Sequence, residues 1–366
     1  MEVTKPTVVV TGIAGDLAAR LLPMLSDYQV VGVDLHAPRA RLPIRFVEMD
    51  LGLEDSCREM FLLLREVRPV AVIHLAFVMD QVHTGILDTD RMWHINVAGT
   101  ARLMEAISEA NRDDFIVEKF IFPSSVAVYG PSLPRPVTEE APLQAHTLPY
   151  ALHKMEADQV VQQRAPSLRG CSVYLLRPPI MAGASMENYM IGAFRGTPNG
   201  PGKHAAKMRN RNKRLSCLSP YGKRYLERRI QFIHVDDVAR LIAYILARTE
   251  PEAQRLTVLN VAGRGEPLTF ARCVSLARVK LRRLPGKWLL GLIVKFLWKM
   301  KISAIPPEAL PYLTGEYVMN TDRLKKFLAQ DYEKVIRYTV TEAFTDSFRS
   351  VPASAAQRAT VQAEQA

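Results

Sequence analysis

The sequence predicts an α/β protein built on a doubly wound parallel sheet with helices on both faces. Three observations support this fold class. Nearly continuous apolar runs recur over roughly the first 180 residues, stretches with helical periodicity separate them, and a glycine-rich turn follows the first run. Apolar runs of this kind are typical of parallel strands buried on both faces. Parallel neighbours need crossover connections, which are right-handed in nearly all proteins.

We expect five strands in chain order before this alternation ends near Ala182. The runs that predict them lie at 7–11, 29–34, 70–75, 119–124 and 171–177. A strand end with a helix is predicted at 231–247 and a further strand at 257–261. We expect both of these later segments to return to the same sheet.

This pattern divides the chain into three parts. Residues 1–181, completed by 231–262, are expected to form the sheet domain. Residues 182–230 and 263–348 are expected to form a smaller, discontinuous C-terminal region that binds the substrate. The small and polar residues of 349–366 predict a disordered tail.

Composition excludes several classes of protein. The chain has 366 residues, of which 48% are hydrophobic and 23% charged, so it can bury a core and is not disordered, collagen-like or coiled-coil. Its four cysteines lack metal-ligand spacing, which predicts a reducing compartment and no metal site. No secretory signal is visible, and the longest apolar stretch, 288–298, is too short to span a bilayer. We expect a cytoplasmic protein, at most peripheral to the inner face of a membrane.

The sequence TGIAGDLA follows the first strand, at 11–18. Glycine permits a tight turn there, and the N–H groups of the following helix can then approach a pyrophosphate. Ala18, at the third position of the pattern, is small enough for close helix–strand packing. The pattern predicts a dinucleotide site formed by Gly12, Ile13, Ala14, Gly15, Asp16 and Leu17.

Asp34 lies 22 residues after Gly12, at the end of the second strand. A carboxylate there can accept hydrogen bonds from both ribose hydroxyls and repels a 2′-phosphate. The sequence therefore predicts a Rossmann-type domain that binds NAD rather than NADP. Arg39 and Arg41, which follow closely, are the argument for NADP.

Tyr150 and Lys154 form a YxxxK pattern. Residues four apart share one face of a helix, so the ammonium can approach the phenol. A tyrosine titrates near pH ~10, and a neighbouring positive charge favours the phenolate, which suits general acid–base catalysis. Ser125 follows an apolar strand 25 residues earlier, where its hydroxyl can orient a carbonyl or alcohol oxygen. We predict that these three residues are catalytic.

Three histidines near these motifs are interpreted without a catalytic role. We expect His74 and His234 to be structural, at a strand end and a helix entry. His153 points around the predicted helix from Tyr150 and Lys154, and we expect it to be solvated.

Together these motifs resemble the extended short-chain dehydrogenase/reductase family, in its NAD-dependent epimerase/dehydratase group. The matching segments occur in the family's order over residues 11–263. They are TGIAGDLA at 11–18, Asp34, MDL at 49–51, HLAF at 74–77, NVAGT at 96–100, SSVAVYG at 124–130, YALHK at 150–154, LRPP at 176–179, FIHVDDVA at 232–239 and LNVAG at 259–263.

The resemblance implies a role for each matching residue. Tyr150 would be the acid–base, Lys154 would bind the nicotinamide ribose and tune Tyr150, and Ser125 would hold the reacting oxygen. The other implied cofactor-binding residues are Asp50 and Leu51 at the adenine, Leu75 and Ala76 on the phosphate side, Asn96 in the hydrogen-bond network beside the cofactor, and Pro178 near the nicotinamide.

The departures from the family lie on the substrate side. Relatives that act on nucleotide sugars often have Asn where this chain has Ile180, and Arg where it has Ile230. The remaining candidates for substrate contact are Ser124 as an alternative hydroxyl, Asn188 at the start of a substrate-side helix, and Arg229 one position from the absent Arg.

The net charge of +11 comes from two stretches of the C-terminal half. Residues 200–230 hold ten basic residues and one acid, and residues 271–301 hold nine basic residues and no acid, so the rest of the chain is acidic. The first stretch is either a phosphate-binding substrate loop or a solvated insertion. Nucleic-acid binding is not expected of it, because that function needs stacking aromatic residues or a known binding module, and only Tyr221 and Tyr225 are present.

A bounded helix is predicted at 287–301, with Lys287, Lys295 and Lys299 on one narrow stripe and apolar residues around the remainder. Such a helix either packs in a core or dimer interface, or lies in a membrane surface with its lysines reaching the headgroups. Both alternatives stay open at this point.

The sequence thus predicts an NAD-dependent enzyme with a small-molecule substrate, no nucleic-acid partner, a homodimeric assembly and a peripheral membrane contact as an option. The first hypothesis for the substrate is a nucleotide sugar, and the second is a lipophilic alcohol, as in a 3β-hydroxysteroid dehydrogenase. A non-catalytic NAD-sensing or scaffold protein is the third, and the intact set of Ser125, Tyr150 and Lys154 argues against it.

Overall fold

The structure is a computed structural model that describes residues 5–38, 44–79, 88–112, 115–133, 135–184, 186–249 and 256–349. Arg39, Arg41 and the predicted tail from Ser350 lie outside these described residues. Within the described ranges, no helix is both long enough and apolar enough to cross a bilayer.

A seven-stranded parallel sheet confirms the predicted fold class. From one edge to the other its strands are β3 (Arg45–Glu48), β2 (Gln29–Asp34), β1 (Thr7–Thr11), β4 (Ala71–His74), β5 (Lys119–Pro123), β6 (Ser172–Arg177) and β11 (Thr257–Asn260). The order reverses at β1, which pairs with β2 on one side and β4 on the other. Sheets of this kind bind ligands at the carboxyl ends of the strands, at the point of reversal.

The apolar runs become strands because both faces of the sheet are covered. Val8, Val9 and Val10 of β1 are fully buried, and every residue of β5 and β6 is buried. The sequence did not predict β3, which lies at the edge of the sheet and exposes Arg45 and Glu48. Edge strands need burial on fewer sides, so they lack the continuous apolar signal of the central strands.

Helices cover both faces of the sheet. One hydrophobic core holds the helices Asp16–Leu21 and Val235–Ala247, and the other holds the helices Ser56–Val67, Gly99–Ala110 and Pro149–Arg164. The described helices up to residue 164 are α1 (Asp16–Leu21), α2 (Ser56–Val67), α3 (Thr89–Trp93), α4 (Gly99–Ala110) and α5 (Pro149–Arg164). The later ones are α6 (Tyr189–Arg195), α7 (Lys203–Asn210), α8 (Lys223–Glu227), α9 (Val235–Ala247), α10 (Phe270–Leu276), α11 (Lys287–Lys299), α12 (Leu310–Thr314), α13 (Asp322–Leu328), α14 (Tyr332–Val335) and α15 (Val340–Asp346). A π-helix joins α3 to α4 at His94–Ala98.

One of the two returning segments does not join the sheet. β11 pairs with β6 as expected, and α9 packs against α1. The strand before α9, β10 (Phe232–His234), instead pairs with β7 (Ile180–Ala182) in a separate two-stranded sheet. The expectation that β10 lies in the main sheet was therefore wrong, because β7 provides its partner just after β6.

The C-terminal region is built from short pieces around a third hydrophobic core. β8 (Cys217–Pro220) pairs in parallel with β13 (Leu281–Leu284), and β9 (Arg229–Ile230) pairs antiparallel with β12 (Leu268–Thr269). Segments far apart in the chain are thus held together by two-stranded sheets. The division of the chain into a sheet domain and a substrate-binding region stays a prediction.

Candidate active site

Gly12 directly follows β1 and begins the turn into α1. Its φ of +74° suits glycine, and a Cβ added there would lie 2.4 Å from the backbone nitrogen of Ala76. The backbone of the turn therefore passes directly against the segment that follows β4. This leaves a cradle of backbone groups at the point where the strand order reverses, which fits a dinucleotide pyrophosphate.

Asp34 ends β2 beside this turn. Its carboxylate accepts a hydrogen bond from the N–H of Ala14, at 3.0 Å, and another from Leu35, at 2.7 Å. The carboxylate therefore lies against the glycine turn, where the sequence predicted a ribose-binding acid. The side chain of Ile13 is buried and packs against Gly32, so Ile13 can meet a cofactor only through its backbone.

Asp50 lies beyond the carboxyl end of the neighbouring strand β3. Its Oδ1 accepts a hydrogen bond from the N–H of Gly52, at 2.9 Å, and its Oδ2 pairs with Arg91. Leu51 beside it is buried. Since Asp34 and Asp50 follow adjacent parallel strands, their carboxylates lie along the same edge of the sheet as the glycine turn.

Three further predicted residues also lie beyond strand ends or near them. Leu75 and Ala76 directly follow β4 and are half-buried. Pro178 follows β6, and its carbonyl accepts a hydrogen bond from the N–H of Val126, at 2.8 Å. The structure thus brings them to the edge that holds Gly12.

Asn96 lies in the π-helix and is fully buried. Its side-chain amide binds both backbone groups of Val78: Oδ1 accepts from the N–H at 2.7 Å, and Nδ2 donates to the carbonyl at 3.0 Å. Asn96 therefore holds the loop after β4 in place, beside the edge of the sheet that holds Gly12. This edge, with Gly12 and Asp34, is called the cofactor edge below.

Ser125 and Tyr150 meet at the carboxyl end of β5. Ser125 begins a short 3₁₀ helix, where its hydroxyl accepts a hydrogen bond from the N–H of Ala127, at 3.2 Å. Tyr150 is the second residue of α5. Burial raises the pKa of the Tyr150 phenol, and its hydrogen bond with Ser125 lowers that pKa in part. The phenol is accordingly protonated at neutral pH in this structure.

Lys154 lies one turn further along α5 and is buried. Its ammonium donates a hydrogen bond to the carbonyl of Pro123, at 2.8 Å, and lies 3.6 Å from the ring centroid of Phe77. Burial lowers the pKa of Lys154 to about 7, and Asp158 opposes that shift. The sequence predicted that Lys154 lowers the pKa of Tyr150; here Ser125 has that effect, because Lys154 is directed towards Phe77 and Pro123.

Phe77 is a site residue that the sequence analysis missed. Its ring meets the Tyr150 ring edge-on, with centroids 5.9 Å apart, and also lies under the Lys154 ammonium. It therefore contacts both predicted catalytic groups. Phe77 could have been predicted from the sequence, since it is the aromatic residue of the HLAF segment at the end of β4.

The three histidines have structural partners. Both ring nitrogens of His74 meet hydroxyls, Thr11 at 2.7 Å and Thr100 at 2.9 Å. His234 contacts Asp346 at 3.1 Å and stacks on another ring. His153 is buried, with Nδ1 3.5 Å from the amide of Asn96, so the expectation of a solvated His153 was wrong. The neighbouring π-helix covers that face of α5.

The structure does not bring the predicted substrate residues together. The hydroxyl of Ser124 is buried and donates to Asp158 at 2.6 Å, which takes it away from Tyr150. Asn188 caps α6, accepting from the N–H of Ile191 and donating to the carbonyl of Met181. Arg229 pairs with Glu316 at 2.8 Å on the surface. In each case the side chain already has a partner within the chain, and the assignment of these three residues to substrate contact stays a prediction.

Arg228, one residue earlier, is the buried cation of this region. Its side chain is 6% exposed and lies 4.0 Å from the ring centroid of Phe270. Its Nε and Nη1 have no hydrogen-bond partner among the residues that the structure describes. Burial lowers its pKa to about 10. A guanidinium in this state is poised to receive an anion, because an unpaired buried charge is costly.

A cavity of about 110 Å³ adjoins Arg228. Arg228 is the only charged residue among the described residues that line it, and most of the others are apolar. The wall opposite is the inner face of α11, with Leu290, Val294 and Leu297. The sequence pointed to Arg229 instead because it adjoins Ile230; Arg228 lies between α8 and β9, and composition does not reveal which of the two adjacent arginines is buried.

Comparison with known proteins assigns the family. Residues 8–262 match the model of the NAD-dependent epimerase/dehydratase family, which is most of the chain. The chain therefore belongs to the NAD-dependent epimerase/dehydratase family, and the predicted resemblance is confirmed. Membership in an NAD-dependent family identifies NAD as the cofactor that suits the glycine turn and Asp34.

Several relatives are known epimerases. The chain is 29% identical over 213 residues to UDP-glucose 4-epimerase of Drosophila melanogaster, covering 53% of this chain and 58% of that enzyme. It is 28% identical over 246 residues to UDP-glucose 4-epimerase of Bacillus subtilis, covering 63% of this chain and 70% of that one. The chain thus spans less than two thirds of the length of the Drosophila enzyme.

Solved structures show the same fold. UDP-glucose 4-epimerase of Thermus thermophilus in complex with NAD superposes with a TM-score of 0.65 at 20% identity, covering 94% of this chain and 99% of that one. MoeE5 in complex with UDP-glucuronic acid and NAD has a TM-score of 0.62 at 19% identity, covering 96% and 99%. At this level of identity the likeness concerns the fold alone.

Proposed function

We propose that this protein is an NAD-dependent epimerase/dehydratase-type oxidoreductase that acts on a secondary alcohol or ketone of a nucleotide sugar. The observation that supports this most directly is the meeting of Ser125, Tyr150 and Lys154 beyond the strand ends, on the edge that holds Gly12 and Asp34. The UDP-glucose 4-epimerases among the relatives support the class of substrate. A homodimer remains a prediction.

Tyr150 is proposed to move the proton at the reacting oxygen. With its pKa raised by burial, the phenol is ready to donate to a carbonyl oxygen, and it takes the proton back when the alcohol is oxidised. Ser125 can bind the same oxygen, since its hydroxyl already hydrogen-bonds to Tyr150. Bound NAD supplies the hydride acceptor and donor for the carbon.

Lys154 is proposed to act as a cofactor-binding residue first. Its buried ammonium sits between the Phe77 ring and the Pro123 carbonyl, one helical turn from Tyr150. An oxygen ligand beside it, such as a ribose hydroxyl, would favour its charged form by hydrogen bonding. That charge would then favour the phenolate of Tyr150, the effect that the sequence predicted.

Arg228 is proposed to bind the anionic part of the substrate. It replaces the Arg that nucleotide-sugar relatives often have at the position of Ile230, and its Nε and Nη1 have no partner among the described residues. A phosphate group offers the bidentate acceptor geometry that a guanidinium prefers. The apolar lining of the same cavity can hold the flat base of a nucleotide.

The decisive experiment replaces Tyr150 by Phe. We expect turnover of UDP-sugars to fall by about 100-fold or more, because the proton carrier is lost. Interconversion of the two sugar epimers is followed by chromatography, since an epimerase produces no net NADH. Tyr221→Phe, at a tyrosine that is 61% exposed, is the matched control.

NAD binding, followed by fluorescence of the reduced form, should survive in both variants. Unchanged turnover in Tyr150→Phe would refute the proposed mechanism. Oxidation of steroid alcohols by the wild-type protein, with no effect on nucleotide sugars, would favour the lipophilic substrate instead.

A further inference from the structure

α11 leaves an apolar stripe uncovered on the outside of the molecule. Trp288, Leu292, Phe296 and Met300 follow one another at intervals of four residues and are 67, 56, 59 and 41% exposed. Residues at this spacing lie on one side of a helix. The stripe continues one residue past the end of the helix, and large apolar side chains this exposed mark an interaction surface when they are contiguous.

The opposite side of the same helix is covered. Leu290, Val294 and Leu297 line the cavity beside Arg228, and Leu290 is only 4% exposed. The packing therefore fixes which side of α11 faces outwards. The sequence left open that α11 packs in a core. That alternative explains the apolar residues on the inner side of the helix but not those on its outer side.

Positive charge surrounds the stripe. Lys287, Lys295 and Lys299 of α11 are exposed, and no acidic residue occurs in the sequence from 271 to 301. Long lysine side chains can lie along an apolar surface while the ammonium reaches an anionic one.

The fold brings the two basic stretches of the sequence side by side. β8 pairs with β13, and the N–H groups of Gly200 and Gly202 donate to the carbonyls of Ile302 and Lys301, at 3.0 and 2.9 Å. The two basic stretches are therefore neighbours in the fold. Much of this charge is exposed, as on α7 and the segment after it. The two stretches, separate in sequence, form one basic lobe that holds the apolar stripe.

We propose that α11 docks the protein on the surface of a lipid bilayer that contains anionic headgroups. The apolar stripe would enter the boundary of headgroups and acyl chains, and the lysines and the rest of the basic lobe would meet the headgroup charge. A second copy of this chain is the weaker candidate, because the pairing of two such lobes would bring like charges together. The proposal does not depend on the proposed catalytic activity.

Co-sedimentation with vesicles tests this docking. The full chain is mixed with vesicles of phosphatidylcholine alone, or of phosphatidylcholine with phosphatidylglycerol. We expect binding to the anionic vesicles only, weakened as salt is raised, because salt screens exposed charges. A blue shift of tryptophan fluorescence on binding would report the entry of Trp288 into the bilayer surface.

Phe296→Glu should weaken vesicle binding by about tenfold or more, since it removes one large apolar anchor and adds a repelled charge. Leu62→Glu, at a leucine of α2 that is 53% exposed, is the matched control and should bind as the wild type does. Circular dichroism confirms that both variants are folded.

Two results would overturn the proposal. The first is absence of the wild-type protein from the anionic vesicle pellet at low salt. The second is a dimer, measured by light scattering, that Phe296→Glu dissociates while vesicle binding is unchanged, which would make a second copy the occupant of the stripe.

Discussion

A buried arginine of the sheet region has its hydrogen bonds satisfied, whereas one of the C-terminal region has nitrogens without a partner among the described residues. Arg177, at the end of β6, is 1% exposed and forms two hydrogen bonds with Asp158, at 2.8 and 2.9 Å, while a third donor reaches Tyr129. Arg228 is nearly as buried, and two of its nitrogens have no partner among the described residues. A satisfied buried charge belongs to the scaffold, whereas an unsatisfied one indicates a place for a ligand.

Two helices of 13 residues show the same contrast for apolar groups. α9 buries Val238, Leu241, Ile242 and Ile245 against the sheet. Leu290 is the only residue of α11 that is buried to a similar degree. In the sheet region both the buried charge and the apolar helix face are therefore covered within the chain, while the C-terminal region keeps both a charge and an apolar surface for contacts outside the chain.

The largest expected effect on stability comes from breaking the buried pair of Arg177 and Asp158. Asp158→Ala leaves Arg177 buried without its counter-ion and should lower the free energy of unfolding by about 3–5 kcal/mol. Urea denaturation monitored by circular dichroism measures it. Glu66→Ala breaks the exposed pair with Arg45 and should change stability little. Equal effects of the two substitutions would mean that the buried network does not stabilise the sheet region.

The next effect concerns pH and the sheet region. Burial, and secondarily the charge of Lys154, lower the pKa of His74 to about 3 from an ordinary value of 6.5. Between these values the unfolded chain binds a proton that the folded state excludes. The free energy of unfolding should therefore fall as the pH drops below 6.5, by up to about 1.4 kcal/mol for each pH unit.

Urea denaturation at several pH values between 6.5 and 4.5 measures this slope. His74→Gln removes the titrating group and should flatten the slope relative to the wild type. His94→Gln, at a histidine whose side chain is 40% exposed, should keep the wild-type slope. The same slope in all three proteins would show that His74 does not contribute to the loss of stability at acid pH.

The smallest effect has the opposite sign. Arg228→Met removes an unpaired buried charge and should raise the free energy of unfolding by about 2 kcal/mol. The same change should weaken the binding of UDP, measured by calorimetry, by about tenfold or more. Arg229→Met is the control and should alter neither quantity much. Destabilisation by Arg228→Met would show that the guanidinium is paired after all, and the contrast with Arg177 would fail.

The sequence predicted the cofactor edge well because its signals are local. Strands buried on both faces have a continuous apolar pattern, and Gly12 and Asp34 stand at strand ends where parallel topology brings them together. The edge strand β3 was not predicted, since two of its four residues are exposed. The burial of His153 also could not be predicted from its own helix, because the π-helix that covers it is a separate segment.

The substrate side was harder to predict for a physical reason. Arg228 lies just before β9, a strand of only two residues without periodicity, so nothing in the sequence decides whether Arg228 or Arg229 faces inwards. The choice depends on pairing with β12, which lies about 40 residues later and is equally short. Ser124 and Ser125 pose the same problem, since adjacent residues after a strand face opposite ways, one towards Asp158 and the other towards Tyr150.

The position of β11 has a consequence for synthesis on the ribosome. β6 ends at Arg177, and its outer neighbour β11 begins at Thr257. At roughly 5–20 residues per second, β6 waits about 4–16 s with one edge unpaired while the C-terminal region is still being made. Unpaired strand edges invite pairing with other chains. The nascent sheet therefore passes through an interval in which chaperones would protect it, and a product that ends before residue 257 would keep that open edge permanently.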